Sequence, residues 1–158
     1  MQSDRDFKEF VSLLNARKVR YLIVGGYAVA AHGLPRYTGD FDTWIWLGKE
    51  NAQKVLGVLD EFGFGGLDIT EEDFSREDSE LQLGYPPHRI DLLTSISGVN
   101  FEDAWWRRLD VEIEGEMVGF IGRDDLITNK RAVGRPQDLA DVARLLESSG
   151  DESPYLFP

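Results

Sequence analysis

The chain has 158 residues and a formal net charge of −12, from 17 Lys and Arg against 29 Asp and Glu. This length suits one compact domain, and a hydrophobic content of 42% is too high for an intrinsically disordered chain. The sequence has no cysteine, which excludes disulfide frameworks, thiolate zinc sites and cysteine nucleophiles. Because it has only two histidines, any metal is expected to be a hard cation held by carboxylate oxygens.

The sequence lacks the signals of membrane insertion or export. No apolar run reaches the roughly 18 residues that a membrane-spanning helix needs, and the start of the chain is too polar for the core of a signal peptide. We therefore expect a cytoplasmic protein without a membrane partner. The negative charge argues against broad nucleic-acid binding, which needs many cationic contacts to phosphates, although one nucleotide or an RNA end could still bind locally.

Much of the negative charge lies between residues 60 and 80, here called the acidic segment. This segment contains nine acids and one base, Arg76, and so carries −8 of the total −12. A solvated loop flanked by strands is the simpler interpretation of such a run. A role in binding is the alternative.

The first predicted element is an amphipathic helix. It should begin at Ser3, because Ser3 and Asp6 resemble a capping box in which Asp replaces the usual Glu. Its apolar residues recur at helical spacing on one face, namely Phe7, Phe10, Val11 and Leu14.

A strand-to-helix turn follows. Residues 21–24 form a short apolar run, which predicts a buried strand that ends at Gly25 and Gly26. The Ala-rich residues 27–32 predict a helix, with Gly33 as the residue after its C-cap.

Beyond a loop at residues 34–39, the pattern changes from helical to extended. Residues 40–47 alternate between two faces, which is strand periodicity. One face of this strand combines acids with aromatic residues, namely Asp40, Asp42, Trp44 and Trp46. Residues 51–62 then predict an amphipathic helix that stops at Gly63.

The second half of the chain also alternates between strands and helices. The predicted elements are strands at 81–85 and 89–93, a short helix at 101–109, a hairpin at 111–121, and helices at 124–132 and 136–147. Pro136 fits the first position of the last helix.

These elements predict a single α/β or α+β domain with a small mixed β-sheet flanked by helices. We place the domain at residues 1–148, with the motifs concentrated in residues 20–95 and C-terminal helices in residues 123–148. Residues 149–158 are expected to form a flexible tail.

Two features of the predicted strands point to chemistry. Glycines at a strand-to-helix turn allow a ligand to approach the backbone, and the helix start offers free N–H groups suited to a phosphate. Such turns are also common for purely conformational reasons.

Acidic residues on the strands are the second feature. Asp40 and Asp42 are two residues apart and project from one face, where the two like charges favour a bound cation or a solvated edge. Asp91 lies in an apolar strand, where a buried acid needs either a metal or a partner such as Arg89. A phosphate-binding turn with three carboxylates is the set of groups needed for two-metal phosphoryl transfer.

Two stretches resemble the nucleotidyltransferase superfamily related to DNA polymerase β. The first is the Gly25-Gly26 turn followed, after a helix, by Asp40-Phe41-Asp42. The second, at residues 129–141, looks like the Lys, Arg, Asp, Asp pattern of the abortive-infection (AbiEii-like) toxin branch, here Lys130, Arg135, Asp138 and Asp141.

The resemblance implies Mg²⁺-dependent transfer of a nucleotidyl group from a nucleoside triphosphate (ATP, GTP or CTP) to a hydroxyl. Asp40, Asp42 and Asp91 would bind metal, and Asp91 would also help deprotonate the acceptor. The triphosphate would contact the backbone of Gly25 and Gly26 and the side chain of Lys130. Two residues of the loop before the metal strand, Arg36 and Thr38, are further candidates for phosphate contact, and turn or capping roles are the alternative for both.

The sequence departs from the family pattern in two respects. Its turn is Gly-Gly where many members have Gly-Ser, and the chain is short for the toxin branch. The acceptor therefore stays open between an RNA end, a protein and a small molecule. Beside a toxin that pairs with an antitoxin, two other hypotheses remain: an adenylyltransferase for aminoglycoside- or lincosamide-like antibiotics, and a non-catalytic module that binds a partner.

Overall fold

A computed structural model describes residues 2–35, 40–85 and 89–148, without the side chains of residues 2–4 and 40. In chain order, the main elements are α1 (Gln2–Ala16), β1 (Tyr21–Val24), α2 (Gly25–Ala31), β2 (Asp40–Ile45), α3 (Lys49–Leu59), β3 (Glu80–Leu83), β4 (Arg89–Leu93), α4 (Phe101–Trp106), β5 (Leu109–Ile113), β6 (Glu116–Phe120), α5 (Arg123–Val133) and α6 (Pro136–Glu147). The predicted tail lies outside the described residues.

The six strands form one mixed sheet in the order β3-β4-β2-β1-β6-β5. β2 pairs in parallel with β4, and β1 pairs in parallel with β6, whereas the other neighbours are antiparallel. This arrangement confirms the predicted mixed α/β fold. It also places the start of β2 beside the start of β4 and next to the end of β1.

An aromatic cluster packs α1 and α2 against one face of the sheet. Phe41 of β2 contacts the rings of Phe7 and Phe10 on α1, with centroid separations of 5.1 and 5.8 Å. Tyr27 of α2 stacks on Phe7 at 4.7 Å. All four rings are buried, so burial of this face supplies much of the apolar driving force for folding.

The opposite face of β2 carries Trp44, which is 1% exposed and packs edge-to-face on Phe101 of α4 at 4.9 Å. Because side chains alternate along a strand, Asp42 and Trp44 share this face. Within the described part of the chain, none of the helices combines the length and apolar character that crossing a bilayer requires.

Several predicted helices begin or end at other residues in the structure. The first helix begins at Gln2, so Ser3 lies inside it and is not the N-cap. The second helix begins at Gly25 rather than at residue 27, because the chain turns into a helix directly after β1. The short helix in the second half ends at Trp106, since Leu109 already pairs in the β5–β6 hairpin.

The acidic segment is also more ordered than a loop between strands. It follows α3 directly, continues as a π-helical turn (Asp60–Phe64), and contains a 3₁₀ turn (Glu71–Phe74). Phe74 is 1% exposed and anchors the segment to the core. Gly63, the predicted helix stop, has a φ of 107°, which ends the regular helical path.

Candidate active site

The turn after β1 brings backbone and carboxylate into direct contact. Gly25 has a φ of 72°, a conformation that residues with a side chain rarely adopt. A Cβ added to Gly25 would overlap Oδ2 of Asp42. Val24, the N-cap of α2, provides no side-chain cap, so the first N–H groups of this helix have no side-chain acceptor at the cap. Glycine is therefore required at residue 25 both for conformation and for space.

Two acids on neighbouring strands occupy paired positions in the sheet. In the parallel β2–β4 pairing, Asp42 lies opposite Asp91, and the backbone of Asp40 lies opposite that of Arg89. Neighbouring strands are about 4.8 Å apart, and paired residues project from the same face. Asp91 is 4% exposed and Asp42 is half-buried. The fold therefore gathers the carboxylates of two separate strands on one face, beside the glycine turn.

Asp91 already has a cationic partner within the chain. Nε of Arg89 donates a hydrogen bond to Oδ1 of Asp91 at 2.9 Å, and Nη2 donates to Oδ2 at 3.1 Å. The guanidinium thus contacts both oxygens of the carboxylate, which is the strongest geometry for such a pair. The sequence left two explanations for an acid in this apolar strand, a metal or a partner such as Arg89. The structure shows the partner, and a metal role for Asp91 is a proposal.

The α5–α6 corner contains a buried ion-pair cluster. Lys130 is 8% exposed, and its Nζ lies 2.9 Å from Oδ2 of Asp141 and 3.4 Å from Oδ1 of Asp138. Both aspartates are also buried, at 0% and 2% exposure. The cation predicted to contact phosphate is therefore enclosed between two carboxylates that compensate its charge.

Arg135, at the start of α6, is an exposed cation of this corner. Its Nε donates to Oδ2 of Asp138 at 2.7 Å and its Nη2 donates to Oδ1 at 3.2 Å, while the side chain remains 73% exposed. The hydrogen bond to Asp138 raises the pKa of Arg135, and the charge of Asp42 contributes in the same direction. The charge of Asp42 on β2 therefore reaches the guanidinium of Arg135.

Asp138 holds this arrangement together. Its carboxylate accepts bonds from the Arg135 side chain and also from the Arg135 backbone N–H at 3.2 Å. The side-chain bond from Arg135 lowers the pKa of Asp138 below its ordinary value of 3.8, with Lys130 acting in the same direction and burial opposing it. The sequence pattern named Arg135, but only the fold shows that its side chain is exposed whereas that of Lys130 is enclosed.

A cleft of about 350 Å³ lies on the same face, toward the other end of β2. Trp44, Trp46 and Phe101 supply apolar walls, and its two charged lining residues among those described are Glu77 and Glu102. Glu77 belongs to the acidic segment. The cleft therefore combines aromatic surface with negative charge, which suits a ligand with a cationic group.

Some predicted site residues are not placed by the structure. Arg36 and Thr38 lie outside the described residues, and the side chain of Asp40 is likewise not described. Among the side chains that are described, no group of three or more His, Asp or Glu is close enough to hold a metal ion. Nε2 of His32, the residue after α2, lies 2.8 Å from the carbonyl oxygen of Ile121, the residue after β6.

Comparison with solved structures identifies the fold. A lincomycin-bound lincosamide antibiotic adenylyltransferase, LnuA, aligns with a TM-score of 0.60 and 16% identity over 90% of this chain and 95% of its own. A provisionally assigned nucleotidyltransferase from Thermotoga maritima aligns with a TM-score of 0.60 and 15% identity over 91% and 92% of the two chains. The chain therefore has a nucleotidyltransferase fold. Protein-family models gave no match to the sequence, and neither did curated proteins.

Proposed function

We propose that this protein transfers a nucleoside monophosphate from a nucleoside triphosphate to an acceptor hydroxyl. The observation that carries the proposal is the pairing of Asp42 with Asp91 across β2 and β4, next to the glycine turn at Gly25. Two acids on paired positions repel unless a cation lies near them. A carboxylate set of this kind, extended by Asp40 on the same strand, fits a hard divalent cation such as Mg²⁺.

In the proposed reaction, the acceptor oxygen attacks the α-phosphorus, the bond to the β-phosphate breaks, and pyrophosphate leaves. Asp91 accepts the proton of the acceptor hydroxyl. Mg²⁺ held by Asp40, Asp42 and Asp91 would neutralise charge on the phosphates when bound. The remaining work of the chain is to hold the triphosphate in line with the acceptor.

The triphosphate would lie between the glycine turn and the α5–α6 corner. The backbone N–H groups of Gly25 and Gly26 would donate to phosphate oxygens, as would the side chains of Arg36 and Thr38 in the loop before β2. We assign the cationic contact to Arg135, because its guanidinium is exposed and lies within reach of the charge of Asp42. Lys130 would act indirectly, since it fixes Asp138, which in turn orients Arg135.

The acceptor divides the proposal into two candidates. The first candidate is a toxin-like enzyme that modifies an RNA end or a protein and pairs with an antitoxin in the cytoplasm. It is supported by the pattern at residues 129–141. An enzyme that modifies a small cationic molecule is favoured by the cleft, because its aromatic walls and two carboxylates share a face with Asp42. The adenylyltransferase LnuA shares this fold and is bound to lincomycin, which makes a small-molecule acceptor worth testing first.

Calorimetry with and without Mg²⁺ tests the nucleotide and metal parts of the proposal. We expect ATP, GTP or CTP to bind the wild type only with Mg²⁺, and the Asp40→Ala/Asp42→Ala variant to lose this binding. The matched control is Asp110→Ala/Glu112→Ala, which removes two exposed acids with the same spacing from β5. Metal-dependent binding that persisted in the first variant would contradict the proposal.

Label transfer identifies the acceptor. The protein is incubated with NTPs labelled at the α-phosphate, separately with an RNA fraction, a protein fraction and a panel of aminoglycosides and lincosamides. Transfer to a drug supports the small-molecule candidate, and transfer to RNA or protein supports the toxin-like one. No labelled product and no pyrophosphate release, despite metal-dependent NTP binding, would favour the non-catalytic module.

A further inference from the structure

The strongest observation that the proposed reaction leaves unused is the pairing of Arg89 with Asp91. Both carboxylate oxygens of Asp91 accept hydrogen bonds from one guanidinium, at 2.9 and 3.1 Å. The side chain of Asp91 is 6% exposed and that of Arg89 is 29% exposed. Because the pair is largely removed from water, solvent screens its attraction much less than that of a surface pair.

The register of the sheet extends this pair into a group of four charged residues. Asp40 lies opposite Arg89, and Asp42 lies opposite Asp91, on adjacent parallel strands. The backbones of three acids and one base therefore meet at the start of β2 and β4. Their formal charges leave two negative charges, so Arg89 balances only part of the group.

We infer that Arg89 is a built-in counterion of the candidate metal site and that it lowers the affinity of this site for divalent cations. The inference rests on the proposed function, since it concerns the same carboxylates. A divalent cation that binds Asp91 must share its oxygens with the guanidinium, and it meets the repulsion of a positive charge within the same group. Arg89 compensates the charge of Asp91 in the absence of metal and opposes a metal cation at the same oxygens.

The opposite role for Arg89 would be to position Asp91 for the metal. The two roles predict changes of opposite sign in metal affinity when Arg89 is replaced. If Arg89 competes, its neutralisation tightens metal binding. If Arg89 only orients Asp91, its removal loosens the carboxylate and weakens metal binding. A direct measurement of metal affinity without nucleotide therefore separates them.

The experiment measures Mn²⁺ binding by electron paramagnetic resonance, without nucleotide, in the wild type, Arg89→Met and Arg89→Gln. We expect the dissociation constant to fall about tenfold in both variants. Arg89→Gln keeps a hydrogen-bond donor and tests the inference if the Met variant does not fold. Arg89→Lys keeps the charge, so its affinity should stay near that of the wild type.

Arg108→Met is the matched control. Arg108 forms the same kind of pair with the acid two residues further on, Nε to Oδ1 of Asp110 at 3.0 Å, but at the start of the edge strand β5. This variant should change the Mn²⁺ dissociation constant less than twofold, although it removes the same net charge.

The possible outcomes separate the inference from the function beneath it. An unchanged or weaker Mn²⁺ affinity in folded Arg89→Met and Arg89→Gln overturns the counterion role and leaves the proposed function standing. Absence of Mn²⁺ binding in the wild type and in every variant overturns both. A similar gain in Arg108→Met would mean that net charge alone sets the affinity, and it would also overturn the specific role of Arg89.

Discussion

Gly25 and Asp42 lie so close together that a single added carbon at residue 25 would occupy the position of a carboxylate oxygen. The contact joins the turn after β1 to β2, one of the two strands that carry the candidate metal site. It means that the glycine turn and the carboxylate cannot be altered independently.

The first prediction concerns this contact. Gly25→Ala should destabilise the protein by about 2 kcal/mol or more, because the alanine must adopt a positive φ, and it should also displace the Asp42 carboxylate. Urea unfolding measures the first effect, and metal-dependent NTP binding measures the second. Gly66→Ala is the control, since a Cβ at Gly66 meets nothing within 4 Å. Equal stability of the two variants would contradict the prediction.

The second prediction separates the metal site from the fold. Asp42→Asn should reduce nucleotidyl transfer at least about 100-fold, because it removes a charge needed only in the reaction. The size and shape of the side chain are kept, so the unfolding midpoint should remain close to that of the wild type. Steady-state kinetics and thermal unfolding of the same preparation provide the test, and activity near the wild-type level would count against Asp42 as a metal ligand.

The third prediction concerns Lys130, which is enclosed between two carboxylates. Lys130→Met should lower the free energy of unfolding by about 3 kcal/mol, because it leaves Asp141 without its buried cation and weakens the support of Asp138. Arg131→Met is the control, since Arg131 is exposed on the same helix. A loss of NTP affinity with no loss of stability would instead indicate that Lys130 contacts the nucleotide directly.

The fourth prediction assigns the phosphate contact to Arg135. Arg135→Ala should weaken Mg²⁺–NTP binding about tenfold, and Arg135→Lys should recover part of the loss. Arg144→Ala removes an exposed arginine from the other end of α6 and should leave binding unchanged. Unaltered affinity in Arg135→Ala, measured by calorimetry, would rule out this assignment.

The fifth prediction is a pH dependence of stability. The pKa of Asp138 is lower in the folded protein than its ordinary value of 3.8, so the charged form stabilises the fold above that value. This contribution is lost as the pH falls through the lower, folded-state pKa. The stability difference between the wild type and Asp138→Asn, about 2 kcal/mol at pH 7, should therefore shrink below about pH 4. Urea titrations at several pH values measure it, and a difference that persisted unchanged to pH 3 would be inconsistent with this account.

Local pattern was sufficient to predict most of the elements. The apolar run at residues 21–24, the alternation from residue 40 and Pro136 at a helix start each depend on short-range rules, and all three correspond to observed elements. The start of α1 was predicted wrongly, because Ser3 has the residue type of an N-cap although it lies inside the helix. The order of strands was not predicted, because it is set by long-range packing.

The site shows the same division between local and long-range information. The sequence named Asp42 and Asp91, but it could not decide whether Asp91 meets a metal or Arg89, since a pair two residues apart on a strand is compatible with both. It also predicted the phosphate contact for Lys130, whereas we propose Arg135 for this contact. The reason is that burial depends on how α5 packs against α6, which periodicity does not encode.

The parallel pairing of β2 with β4 has a consequence for how this protein acquires its chemistry during folding. The glycine turn and β2 are close in sequence, whereas Asp91 joins them only after α3 and the acidic segment have closed a long loop. Completion of the carboxylate group is therefore a high-contact-order event. A nascent chain that has not yet emerged beyond β4 would lack the Asp91 carboxylate, so the proposed activity would require the pairing of β4 with β2.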